Sequence, residues 1–153
     1  MPPPSSRRDP NRTRETILKS ARDEFAARGL SGARVDRIAR HAGVNKRMIY
    51  HYFGNKDGLY LAALERVYEG LRGTERMLDL AGLEPQAAIR RLVEFNFDYS
   101  LRHPELISLI NNENLHRARH LRRSRKIRDL RSKAACRRRR QHNVEMILNA
   151  IRA

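Results

Sequence analysis

Ile17, Ala21 and Phe25 recur at i, i+4 and i+8, with Leu18 beside them. This spacing predicts a helix from about Asn11 to Arg28 with one apolar face, and Gly29 is placed to stop it. Val35, Ile38, Ala39 and Ala42 predict a second, short helix with those four side chains inward. Gly43 then suits a tight turn with positive φ, a conformation that a β-carbon disfavours. Val44 is expected to plug the gap between helices. Asn45 can accept an orphan backbone N–H and so cap a third helix ending at Phe53, itself expected in the core.

Two short helices joined through such a turn form the helix-turn-helix pattern, whose second helix enters the major groove of DNA. Asn45, Lys46 and Arg47 occupy the first turn of that helix, where free N–H groups and the helix dipole favour phosphate. Arg47 can grip guanine O6 and N7 bidentately, with Lys46 beside it as a second base-facing cation. Tyr50 can donate its hydroxyl to a phosphate, and His51 and Tyr52 follow. Lys56, at the start of the next helix, is a second phosphate clamp. The same apolar spacing also occurs in small helical bundles that bind no DNA, and from these residues alone both readings stand.

Gly54-Asn55 breaks the third helix, and Asn55 can cap a fourth with Leu59, Leu61, Leu64, Val67, Tyr68 and Leu71 in helical register. Gly70 and Gly73 are expected to weaken its far end. Leu83-Glu84-Pro85 starts a fifth, Pro suiting the first turn. Its apolar set of Ala88, Ile89, Leu92, Val93, Phe95, Phe97, Tyr99 and Leu101 is too broad for packing on one side only. Pro104 ends or restarts it, and Leu106, Ile107, Leu109 and Ile110 continue an apolar stripe. No strand alternation of any length occurs, so the expected fold is all-α. The expected divisions are a disordered Pro- and Arg-rich arm over 1–10, a DNA-binding domain over 11–54, a linker helix and partial helical regulatory domain over 55–130, and an atypical basic tail over 131–153.

Charge sharpens this picture. The 153 residues hold 33 Lys and Arg against 17 Asp and Glu, a formal +16. A polyanionic partner is implied, double-stranded DNA first. The stretch from Arg119 to Arg140 alone carries +11, because Asp129 is its one acid. Much of the excess therefore lies away from the helix-turn-helix, which leaves open a non-specific nucleic-acid binder driven by the basic tail. The single cysteine, Cys136, excludes an internal disulfide and fits a reducing cytoplasm. No apolar run approaches bilayer length and the N-terminus lacks a signal-peptide core, so no membrane role is expected.

Ile17-Leu18, Ala21, Phe25 and Gly29, then Val35, Ile38-Ala39 and Ala42-Gly43-Val44, then Ile49-Tyr50-His51-Tyr52-Phe53, Lys56 and Leu59 together resemble the N-terminal domain of TetR-family regulators. The resemblance runs without a gap from about Thr13 to Leu64. It implies a three-helix DNA-binding domain joined by a fourth helix to an all-α ligand-binding and dimerisation domain. It further implies a homodimeric regulator, usually a repressor, released from a near-palindromic operator by a small-molecule effector. Carried over residue by residue, Asn45, Tyr50 and Lys56 match phosphate-contact positions, and Lys46, Arg47, Met48 and His51 match groove-facing ones. Residues 85 to about 130, with His103-Pro104-Glu105 and Glu113-Asn114, resemble a branch with some members answering pyrimidine-like ligands; no ligand is assigned from that. Two departures matter. Ala33 and Arg34 stand where the family usually has the Ser or Thr that caps the second helix, although Arg34 keeps a guanidinium for phosphate. From about Lys133 the chain does not look like the family's last, dimer-forming helices, so the second domain reads as truncated or altered and dimerisation is left open.

Other constellations carry less. His116 and His120 at i, i+4, one turn after Glu113, have a spacing that could hold a metal, but solvent-facing histidines are the expected reading. Glu94 and Asp98 are expected as salt-bridge partners in place of ligand contacts, and Cys136 as an incidental thiol. No catalytic triad or Gly-rich phosphate loop occurs, so no enzyme, cofactor or metal is expected.

Overall fold

A computed structural model of the chain describes residues 9–80 and 82–130. Among them it is all-α, with eight helices and a division into two compact units after Arg66. The expectations for residues 1–8, for the tail from 131 and for Cys136 lie outside the described residues.

In the first unit, α1 (Pro10–Gly32) begins where Asp9 accepts the Asn11 N–H at 3.0 Å and Pro10 takes the first helical position. Helical geometry breaks at Gly29, and one further turn reaches Gly32. The predicted stop is thus a kink. Ile17, Leu18, Ala21 and Phe25 form the buried face. They meet α2 (Val35–Ala42) through Val35, Ile38 and Ala39, α3 (Lys46–Phe53) through Ile49, and the first part of α4 (Lys56–Arg76) through Leu59, Tyr60, Ala63 and Leu64. Tyr60 lies edge-on to Phe25, with centroids 5.0 Å apart. Burying each such aliphatic or aromatic side chain contributes roughly 1.5–3 kcal/mol. Phe53 departs from expectation. It is half-buried, with the Arg14 guanidinium 5.5 Å from its ring centroid, because at the end of α3 it faces the rim of the bundle.

In the second unit, α4 continues through Gly70 and Gly73 to Arg76. The expected weakening does not end the helix there, since Thr74 bonds back to the Gly70 carbonyl and Arg72 pairs with Glu75. α5 (Pro85–Arg102) and α6 (Pro104–Leu115) each start on proline. The broad apolar set on α5 resolves into two opposite stripes. Ala88 and Tyr99 are buried, with Leu92 and Phe95 in register between them, whereas Val93, Phe97 and Leu101 are more than half exposed.

Short helices α7 (Arg119–Arg123) and α8 (Arg125–Leu130) close the described chain. Here the histidine expectation is corrected. α6 ends at Leu115, and Arg117 and Ala118 take left-handed conformations, so His116 and His120 do not share a helix. His116 is exposed, but His120 is buried with its Nδ1 3.1 Å from the fully buried Glu113. Glu113 also accepts the His120 and Leu121 N–H groups at 2.6 and 3.0 Å. No group of three or more metal-ligating side chains occurs among the described residues. Glu94 and Asp98 are exposed, Asp98 lying 3.9 Å from Arg102. No helix of the described residues is long and apolar enough to cross a membrane.

Candidate nucleic-acid interface

α2 and α3 are joined by a Schellman turn. The Val44 N–H reaches the Ala39 carbonyl at 3.0 Å and the Gly43 N–H reaches Arg40 at 3.2 Å, while Gly43 sits at φ 63° and ψ 32°. That left-handed geometry satisfies the last carbonyls of α2 and is open to glycine at little cost. Val44 is half-buried at the turn. Asn45 then accepts the Met48 N–H at 3.1 Å, which fixes the start of α3.

The anchor at the other end of α2 was not foreseen. Arg34 occupies the N-cap with no side-chain capping bond. Its N–H instead donates to Glu24 Oε1 of α1 at 3.0 Å, and the Arg37 Nε donates to the same oxygen at 2.7 Å. Arg28 lies 3.7 Å from the other oxygen. Burial works to raise the Glu24 pKa, but the Arg34 amide and the two guanidiniums outweigh it and hold the carboxyl below its ordinary value. A carboxylate on α1 therefore anchors the start of α2 through the Arg34 amide, while the Ser or Thr cap itself stays unfilled. The signal was present in the sequence, since Glu24 stands at i+3 from Ala21 and i+7 from Ile17, on the buried face.

α3 projects the predicted residues outward from this frame. Lys46, Arg47 and His51 are exposed, Tyr50 is 40% exposed, and Met48 is half-buried. His51 makes an edge contact with Tyr52 at 5.6 Å. Arg34, at the start of α2, is exposed. Lys56 is half-buried and donates to the Ser31 carbonyl at 3.4 Å. Arg47 makes no ion pair among the described residues. Lys46 differs: its Nζ lies 2.8 Å from Asp36 Oδ1 on α2. Neither apolar spacing nor a capping pattern marks Asp36 in the sequence.

Two family profiles match the chain. "Bacterial regulatory proteins, tetR family" covers residues 17–63, and "Tetracyclin repressor-like, C-terminal domain" covers 85–140. The chain belongs to the TetR family. TetR proteins are transcription regulators and not enzymes. The second match extends past residue 131, into the stretch expected to be an atypical basic tail. The TetR chain is 41% identical over 124 residues to the HTH-type transcriptional repressor NicS of Pseudomonas putida, covering 81% of this chain and 58% of that one. It is 41% identical over 105 residues to the HTH-type transcriptional repressor SCO4008 of Streptomyces coelicolor, covering 67% and 50%. It thus spans little more than half the length of these relatives. Among solved structures it is similar to the transcriptional regulator SCO4942 of Streptomyces coelicolor, with a TM-score of 0.58 and 33% identity over 78% of this chain and 65% of that one.

Proposed function

We propose that this chain is a sequence-specific transcriptional repressor that reads double-stranded DNA through α3, binds a near-palindromic operator as a homodimer and is released by a small-molecule effector. The observation that carries the reading is the α2–α3 turn geometry with Arg47 exposed at the N-terminal turn of α3 and in no ion pair among the described residues. Repression is supported by the names of NicS and SCO4008, and the dimer and the effector by membership of the family.

The roles divide by chemistry. Arg47, with Met48 and His51, faces base edges, while Lys46 on the same turn is paired with Asp36. Asn45, Tyr50, Lys56 and Arg34 meet phosphate, which positions the protein without reading sequence. Duplexes selected from a random pool, followed by footprinting, test this directly. A discrete two-fold footprint is expected, with half-sites one helical turn or a multiple of it apart. Arg47→Ala should relax base preference at one position per half-site by roughly 1–3 kcal/mol, while Lys56→Ala should weaken all sequences about equally. Uniform loss from both variants would remove Arg47 as a base reader.

A second reading is favoured by the +11 borne between Arg119 and Arg140. In that case affinity would come mainly from phosphate neutralisation, with selected and random duplexes bound alike and a steep salt dependence.

A further inference from the structure

Asp36 is the one acidic residue between Arg34 and Lys56, a stretch that also holds Arg37, Arg40, Lys46, Arg47 and a series of exposed polar side chains. Its carboxylate lies on α2 with Oδ1 2.8 Å from the Lys46 ammonium. Both side chains are about half exposed, at 56% and 47%, so the pair stands on the surface and not in the core. Arg47, the next residue, has no such partner among the described residues. Two adjacent cations at the start of α3 are therefore in different states. One is free to reach out, and the other is held between the helices by a carboxylate.

A lysine ammonium is a flexible point charge that binds any phosphate, whereas an arginine fork discriminates by geometry. We propose that Asp36 is a specificity-determining residue: by holding Lys46 it withholds a sequence-blind cation from DNA phosphate and leaves the first contact to Arg47. This rests on the DNA-reading role proposed above. Lys46 and the more distant Arg34 and Arg40 keep the Asp36 carboxyl below its ordinary pKa, and Asp36 in turn raises that of Lys46, so both groups stay charged through the neutral range. The device costs little fold stability, because exposed ion pairs contribute little. Its effect is on what the head binds.

The test compares the full chain with Asp36→Asn, Lys46→Met and the double variant, each binding a random-sequence duplex and a duplex selected by the wild type across a salt series. Circular dichroism establishes that each is folded. Asp36→Asn should free one ammonium per protomer. The salt slope on random duplex should steepen by roughly 0.9 log unit per log unit for each protomer bound, an affinity gain of about eightfold per protomer at about 0.1 M salt that fades toward about 1 M. The selected-to-random ratio should fall, and adding Lys46→Met should return the slope to the wild-type value. An unchanged slope in Asp36→Asn overturns the inference. So does a steeper slope that persists in the double variant, since the cause would then be loss of the carboxylate's own repulsion. If the wild type fails to bind either duplex even at low salt, the DNA-reading role falls and this inference with it.

Discussion

Replacing Glu24 should loosen the first unit more than any change on its exposed surface. The carboxylate is 5% exposed and holds the Arg34 N–H at 3.0 Å and the Arg37 Nε at 2.7 Å, so one side chain on α1 secures the start of α2. Hydrogen bonds to a charged group contribute about 1.5–3 kcal/mol each, but two that share an oxygen do not add fully. Glu24→Ala should therefore cost about 3 kcal/mol, leaving the Arg34 amide without its acceptor. Glu24→Gln keeps an acceptor oxygen and should cost about 1 kcal/mol. In a domain of 60–100 residues each kcal/mol lowers Tm by roughly 4–8 °C, so the alanine variant should lose about 12–24 °C. Far-ultraviolet circular dichroism during thermal unfolding of the full chain reads this. The pH dependence supplies a second check. The folded-state pKa lies below the usual 4.5, so the charge contributes stability above that value and loses it as pH falls through the lower folded-state pKa. The gap between wild type and Glu24→Gln should be widest at neutral pH and close on acidification. An alanine variant within about 0.5 kcal/mol of the wild type, or a gap indifferent to pH, would refute the assignment.

Other substitutions separate backbone from side-chain causes. Gly43→Ala should cost about 1–2 kcal/mol by denaturant unfolding, all of it from the left-handed backbone, because a β-carbon there meets no atom within 4 Å. Gly58→Ala should cost more despite its helical position, since the new methyl would lie 2.2 Å from the Phe53 carbonyl oxygen and backbone would have to move. Arg34→Ser should restore the missing cap of α2 and stabilise the fold by about 1 kcal/mol, while filter binding shows weaker affinity for DNA. In the second unit, Glu113→Ala should cost at least about 3 kcal/mol in thermal unfolding, because the His120 and Leu121 amides both lose their acceptor. An effect below about 1 kcal/mol would mean that water takes over those bonds.

Much of the first unit was legible because its signals are local. The i, i+4 spacing of Ile17, Ala21 and Phe25 depends only on helix pitch. The turn at Gly43 follows from which residue tolerates positive φ, and the caps at Asn45 and Asn55 from a side-chain oxygen within reach of the next turn. The exposure of Lys46, Arg47 and His51 was legible for the same reason, since residues at the first turns of a short outward helix cannot be buried far away. The second unit was harder. Its helix starts at Pro85 and Pro104 were local and were found, but the helix break between His116 and His120 depends on a left-handed pair that no propensity indicates.

By itself the sequence determined the order of the helices, the turn between α2 and α3, and a basic face presented by α3. Tertiary structure alone decided how charges pair across helices. Glu24 meets Arg34 and Arg37, and Asp36 meets Lys46, only because α1, α2 and α3 pack at one fixed crossing. Periodicity records which side of a helix is apolar, but it carries no distance between residues on different helices. Coulomb energy and hydrogen bonding depend on that distance, and folding is what sets it.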